Sequence, residues 1–204
     1  MPFQLPVSIR TYSISSPGIA IYYPSLYGFA HPHVQHHINQ TIQSAVHSMR
    51  LEQNHYQTGT SIEMTGHYEI KTNERGILSL LLSNYAYSYP MAHGFTIARS
   101  LTFDVNTGKV YALHDLFKPD SDYVKRLSEI VAAQIKERAI PTLNEFSGIS
   151  HDQEYYLADK SLVLYYQPYQ LSPGYVGFPM FPIPIYSVES IAQGPLTVLS
   201  ADVA

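Results

Sequence analysis

Ten histidines give this chain its densest ionisable chemistry, and four of them, His31, His33, His36 and His37, fall within seven residues. His33 and His37 are four apart, so a helix would place them on one face, a spacing that can clamp a metal ion. No carboxylate or cysteine stands among them, and the pattern HPHVQHH matches no ligand signature, so a solvated helix start is expected and no metal is assigned. A further histidine, His93, sits beside Gly94 in the apolar corner Pro90–Gly94. It reads as a structural histidine, partly buried, whose ring ties a turn to a neighbouring backbone group. The competing reading is a hydrolase or deacetylase-like enzyme using His93. That would require a carboxylate within hydrogen-bond reach and a facing pocket.

The acidic pairs are ordinary by comparison. Asp120 and Asp122 precede a helix, where carboxylates cap exposed amides. Asp152 and Glu154 lie in a polar loop before a strand. Neither pair has the surroundings of a glycosidase. There is no nucleophile elbow, no HExxH, no phosphate loop and no dinucleotide fingerprint. No catalytic residue and no cofactor is therefore expected.

The aromatic content is the other chemical signal: 18 tyrosines and no tryptophan. Tyrosine carries a large contact area with a polar tip, which suits half-buried sheets and binding surfaces alike. The segment YQLSPGYVGF holds Tyr169, Tyr175 and Phe178 on a loop punctuated by Pro173, Gly174 and Gly177. Two readings stay open. The loop presents Tyr169, Pro173, Gly174, Tyr175 and Phe178 to a ligand, or it folds its aromatics back over a sheet. The following run, Met180 to Ile185, contains Pro182 and Pro184, which cannot donate to a ladder, so it must be an edge strand.

Composition narrows the classes. At 204 residues, 45% hydrophobic and 14% charged, the chain can bury a sizeable core. The net charge of −4 with scattered basic residues argues against nucleic acid. Cysteine is absent, which removes disulfides and thiolate chemistry without choosing a compartment. No signal peptide and no apolar stretch of membrane-spanning length is seen. As written, the chain is expected to be cytoplasmic or spore-associated, and extracytoplasmic if it is a trimmed ectodomain.

The elements that position these residues follow from periodicity. Val7–Tyr12 and Ile19–Tyr23 read as strands about the turn Ser15–Gly18, with Pro24 and Gly28 ending the second. Pro32–Leu51 reads as a helix with the stripe Val34, Ile38, Ile42, Ala45, Val46 and Met49, followed by a polar connector from Glu52 to Thr60. Ser61–Thr72 and Ile77–Tyr89 pair about Asn73–Gly76. Phe95, Ile97, Leu101 and Phe103 alternate, with Arg99 interrupting, and Asp104–Val110 turns into a short further strand. A second helix covers Ser121–Arg138, and a hairpin turns at Asp159–Lys160. Tyr186–Ile191 reads as a short closing helix and the tail from Gln193 as loose. The sum is an α+β fold, an antiparallel sheet with two main helices packed on one side. Its halves are 7–92 and 93–192, joined in one compact unit.

The AHG corner, the TGK turn, the DLF step before the second helix, the FSGI run and the closing PG, G and FPIPI elements resemble the C-terminal domain of RsiV-like anti-sigma factor ectodomains. They are similar also to the non-catalytic part of PdaC-type peptidoglycan deacetylases. YYPSLYG and the helix with HINQTI resemble the companion N-terminal domain, so the likeness runs from about Val7 to Ile191. It implies an envelope-facing α+β module without catalysis of its own. In the anti-sigma branch the ectodomain binds lysozyme. The partner implied is thus a protein of that kind or a cell-wall glycan, with a structural or spore-associated role as a further alternative.

Overall fold

A computed structural model describes residues 6–200 of the chain. It divides into two compact units, Met1–Val110 and Tyr111–Ala204. The α+β class holds, but the strands form two sheets, one of five strands and one of three. Alternation in a sequence reports which face of a strand is buried, not which strand it pairs with.

In the first unit β1 (Ser8–Ser16) and β2 (Ile19–Tyr27) form a hairpin about Pro17 and Gly18, whose φ is +78°. Strand β2 continues through Pro24 to Tyr27, past its expected end. This is possible because β2 pairs with β3 (Ser61–Glu74) only over Ile19–Ile21, leaving Pro24 no ladder bond to lose on that side. The β2–β3 pairing is parallel, so the sheet is mixed and not purely antiparallel. Parallel neighbours need a crossover, and α1 (Pro32–Tyr56) supplies it. Arg75 and Gly76, at φ +52° and +78°, make the two-residue turn into β4 (Ile77–Tyr89), because both positions of this turn require positive φ. Strand β5 (Phe95–Asp104) completes the order β1-β2-β3-β4-β5. A sequence boundary at 92/93 therefore runs between two hydrogen-bonded strands of this sheet.

The α1 stripe buries as its spacing predicts: Val34, Ile38, Ile42, Val46 and Met49 join Leu78, Leu80, Leu82 and Ala86 in one core. The helix extends further than expected, to Tyr56, because its last turns are held by amides. Buried Gln53 donates to the carbonyls of Asn84 (2.8 Å) and Phe95 (3.1 Å) and accepts from the Asn84 side chain. Gln57 accepts from the Ser88 amide (2.8 Å) and hydroxyl (3.0 Å). The stretch that looked like a polar connector is thus part of the buried interface. Arg99 interrupts the β5 alternation because its guanidinium reaches Glu52 on α1 at 2.7 Å. After β5, the carboxylate of Asp104 caps the turn by accepting from Asn106 (2.8 Å) and Thr107 (3.2 Å). The expected further strand reduces to one bridge, Phe103 with Val110.

In the second unit a 3-10 turn (Leu113–Leu116) precedes α2 (Tyr123–Glu137), whose N-cap is Asp122. Strands β6 (Tyr155–Ala158), β7 (Ser161–Tyr165) and β8 (Met180–Pro184) form an antiparallel sheet in that order. Asp159, at φ +49°, turns the first hairpin. Leu127, Val131, Leu157, Leu162, Leu164, Phe181 and Ile183 are buried. The closing helix resolves into two 3-10 turns, Ile185–Ser187 and Glu189–Ile191. The tail is ordered as α3 (Pro195–Ser200), because Leu196 and Leu199 are fully buried and Gln193 bonds back to the Leu116 carbonyl at 2.9 Å. Residues 201–204 lie outside the described residues.

Candidate ligand-recognition loop

The loop between β7 and β8 is closed at its neck by Tyr166, whose amide donates to the Pro179 carbonyl at 3.1 Å. Inside it, Leu171 and Ser172 are buried, and the Leu171 carbonyl accepts from Leu143 at 2.9 Å. Those ties fix the middle of the loop. Pro173 and Gly174 then lead into a 3-10 turn, Gly174–Val176, closed by bonds from Val176 to Pro173 (3.0 Å) and from Gly177 to Gly174 (3.1 Å). Tyr169, at φ +67°, lays its ring against Gly174 so closely that a Cβ there would collide with the ring end. Glycine lets the ring and backbone approach. Tyr175 is left 82% exposed at the turn, Tyr169 is 61% exposed, and Phe178 and Pro173 are half-buried. Two buried hydroxyls here, Tyr166 Oη and Ser172 Oγ, have no partner among the described residues. Burial pushes the Tyr166 hydroxyl up to about 12.

The neighbouring edge is blunted by side chains. Strand β8 is an edge, as its prolines require. Yet the carbonyls it turns outward accept side-chain hydrogen bonds. Met180 and Pro182 carbonyls accept from Arg138 (2.7 Å), the C-cap of α2, and from Gln134 within it (2.8 Å), and the Pro184 carbonyl accepts from Ser187 at 2.7 Å. Pro182 and Pro184 have no amide to offer. The edge is blunted in the manner of exposed edges that avoid association.

The corner near β5 differs from its expectation. His93 is exposed, and its Nδ1 lies 3.0 Å from the adjacent Gly94 carbonyl oxygen, with no carboxylate partner among the described residues. A small pocket in this unit is lined by Ile21, Tyr22, Met49, His67, Leu82 and Asn84, and not by His93. Gly94 is the constrained residue, because a Cβ would collide with the Ala86 carbonyl and the Tyr85 ring. His31, His33, His36 and His37 are all exposed at the start of α1, with the first two rings 5.8 Å apart.

One cluster has no local signature in the sequence. In the second unit His114, on the 3-10 turn, meets His151 and Asp152 from the loop before β6. The imidazoles stack at 5.5 Å and 30°. Tyr123 donates to the His151 carbonyl at 3.1 Å and stacks on Phe117 at 4.9 Å. Burial, with the Asp152 carboxylate adding to it, pushes the Tyr123 hydroxyl up. Only the acidic pair containing Asp152 was visible as chemistry, since the histidines are far apart in the chain.

Comparison with known proteins follows the same outline. Residues 114–186 match the family model described as a protein of unknown function, DUF3298. Over 189 residues the chain is 26% identical to the anti-sigma-V factor RsiV of Bacillus subtilis (strain 168), covering 84% of this chain and 64% of RsiV. Over 128 residues it is 27% identical to the peptidoglycan-N-acetylmuramic acid deacetylase PdaC of the same organism, covering 56% of this chain and 26% of PdaC. The chain thus spans less than two thirds of the length of the curated relatives it matches. Among solved structures, a DUF3298 family member from Bacteroides fragilis superposes with a TM-score of 0.66 at 13% identity, covering 97% of this chain and 96% of that one. A DUF3298 family protein from Pseudomonas aeruginosa PAO1 gives 0.64 at 14%, covering 94% and 96%. Among the described residues no helix is long and apolar enough to cross a membrane. Residues 114–186 thus match the DUF3298 family model, in a chain that shares the fold of solved DUF3298 proteins and resembles RsiV over most of its length.

Proposed function

We propose that this chain is a non-enzymatic recognition module that binds a protein ligand of the lysozyme kind through the loop Tyr169–Phe178. The observation that carries the reading is Tyr175, a large aromatic 82% exposed on a turn whose flanks are tied into the second unit. A side chain presented on a fixed backbone loses little entropy on binding, and Tyr is among the residues that dominate interface energies. The similarity to an anti-sigma factor favours a protein ligand over a glycan, since such proteins act through protein contacts. The blunted β8 edge supports recognition by side chains over backbone pairing.

The test is capture by the immobilised chain of purified lysozyme and, separately, of sonicated cell-wall fragments. Saturable capture of lysozyme alone supports the reading. Capture of the fragments alone would transfer the site to a glycan, and capture of neither would remove the lysozyme-type ligand altogether.

A further inference from the structure

We propose that His114, His151 and Asp152 form a surface site for one divalent transition-metal ion. This goes beyond the sequence, which assigns no metal, and it is independent of the ligand-recognition loop. One donor atom from each residue lies within 4.8 Å of the other two. His151 Nδ1 is 3.2 Å and His114 Nδ1 3.9 Å from the same Asp152 Oδ1. Zinc bonds of roughly 2.0–2.2 Å in a tetrahedron place neighbouring donors about 3.3 Å apart, so the trio needs only small side-chain rotations to close on an ion.

The backbone beneath the donors is already held. His114 sits on a 3-10 turn between buried Leu113 and Leu116, and Asp115 pins that turn by accepting from the Ala112 amide at 2.9 Å. The His151 carbonyl is held by Tyr123, Gln153 donates to the Ser150 carbonyl at 3.2 Å, and Asp152 donates to the Ser150 hydroxyl at 3.3 Å. Ordering two segments distant in the chain is the main entropic cost of a metal site, and here the fold has met it. Two imidazoles with one carboxylate suit zinc, nickel or copper, whereas calcium and magnesium take oxygen donors. All three side chains are exposed, at 50%, 64% and 79%, so an ion can enter freely. Three protein donors leave at least one coordination position for water or for an anionic group of a bound molecule.

The experiment is calorimetric titration of the full chain with zinc after chelation and dialysis, repeated with cobalt followed by visible absorption. The variants are His114→Ala, His151→Ala, and a control with His31, His33, His36 and His37 all changed to Ala. One equivalent is expected, weakened about tenfold or more by either single change and kept by the control. Thermal melts without metal check that the single variants fold, which their exposure predicts. The proposal is overturned if the wild-type chain takes up no ion, or if uptake is lost in the control and unchanged in the single variants.

Discussion

Gly94 and Gly174 are both glycines held against a tyrosine ring, and they differ in what else surrounds them. At Gly94 an added Cβ would strike the Ala86 carbonyl as well as the Tyr85 ring, in a place where two adjacent strands hold the backbone. At Gly174 the nearest atoms are those at the far end of the Tyr169 side chain, and Tyr169 is mostly exposed. The corner is therefore locked by main chain, while the loop is closed by a ring that can swing aside. Constraint at the first site is architectural. At the second it shapes a surface.

The sharpest way to break this contrast is to fill both spaces. Gly94→Ala should destabilise the protein by about 3 kcal/mol, since overpacking against backbone has no cheap relief. Gly174→Ala should cost less than about 1 kcal/mol, because Tyr169 can rotate out. Chemical denaturation of both variants measures the pair, and equal losses would erase the distinction.

A smaller effect lies at the loop's neck. The buried Tyr166 hydroxyl has no partner among the described residues, so Tyr166→Phe should be neutral or stabilising by up to about 1 kcal/mol. Its pKa of about 12 in the fold stands above the roughly 10 of an unfolded tyrosine. The folded state thus holds this proton more tightly. That contribution is intact below pH 10 and is lost as pH rises from about 10 through 12. Melting temperatures across that window should fall less steeply for Tyr166→Phe than for the wild type.

The smallest effect is at His93. Exposed, with a ring contact only to its neighbour's carbonyl, it should be replaceable by Ala within about 0.5 kcal/mol. This reverses the larger loss that a buried histidine would bring. A drop in melting temperature as large as that of Gly94→Ala would restore the histidine as the anchor of the corner.

What could be read from the chain follows periodicity and turn chemistry. The α1 stripe, the β3–β4 hairpin, the β6–β7 hairpin and the edge character of β8 rest on local rules, and each is found. Pairing is not local, so the parallel β2–β3 contact and the division into two sheets were out of reach. Polar residues used inside the core misled in the same way: Gln53 and Gln57 look like connector residues until the strand carbonyls and hydroxyls they satisfy are known. Pro182 and Pro184 predicted the edge, but its blunting depends on Gln134 and Arg138, whose partners on β8 no local rule supplies. Of the candidate site, the aromatic loop was legible because proline and glycine punctuate it. The His114–His151–Asp152 cluster was not, because the fold alone brings its members together.

The Tyr175 turn is the proposed recognition surface. The direct measurement is an isothermal titration of lysozyme into the wild-type chain and into a Tyr175→Ala, Pro173→Ala double variant, with a thermal melt of each. Tyr175 is 82% exposed, so the melts should agree, while affinity should fall by roughly 2 kcal/mol or more. Equal affinities for the two chains, with both folded, would contradict the claim and move the search to the exposed tyrosines of β4, Tyr85 and Tyr89.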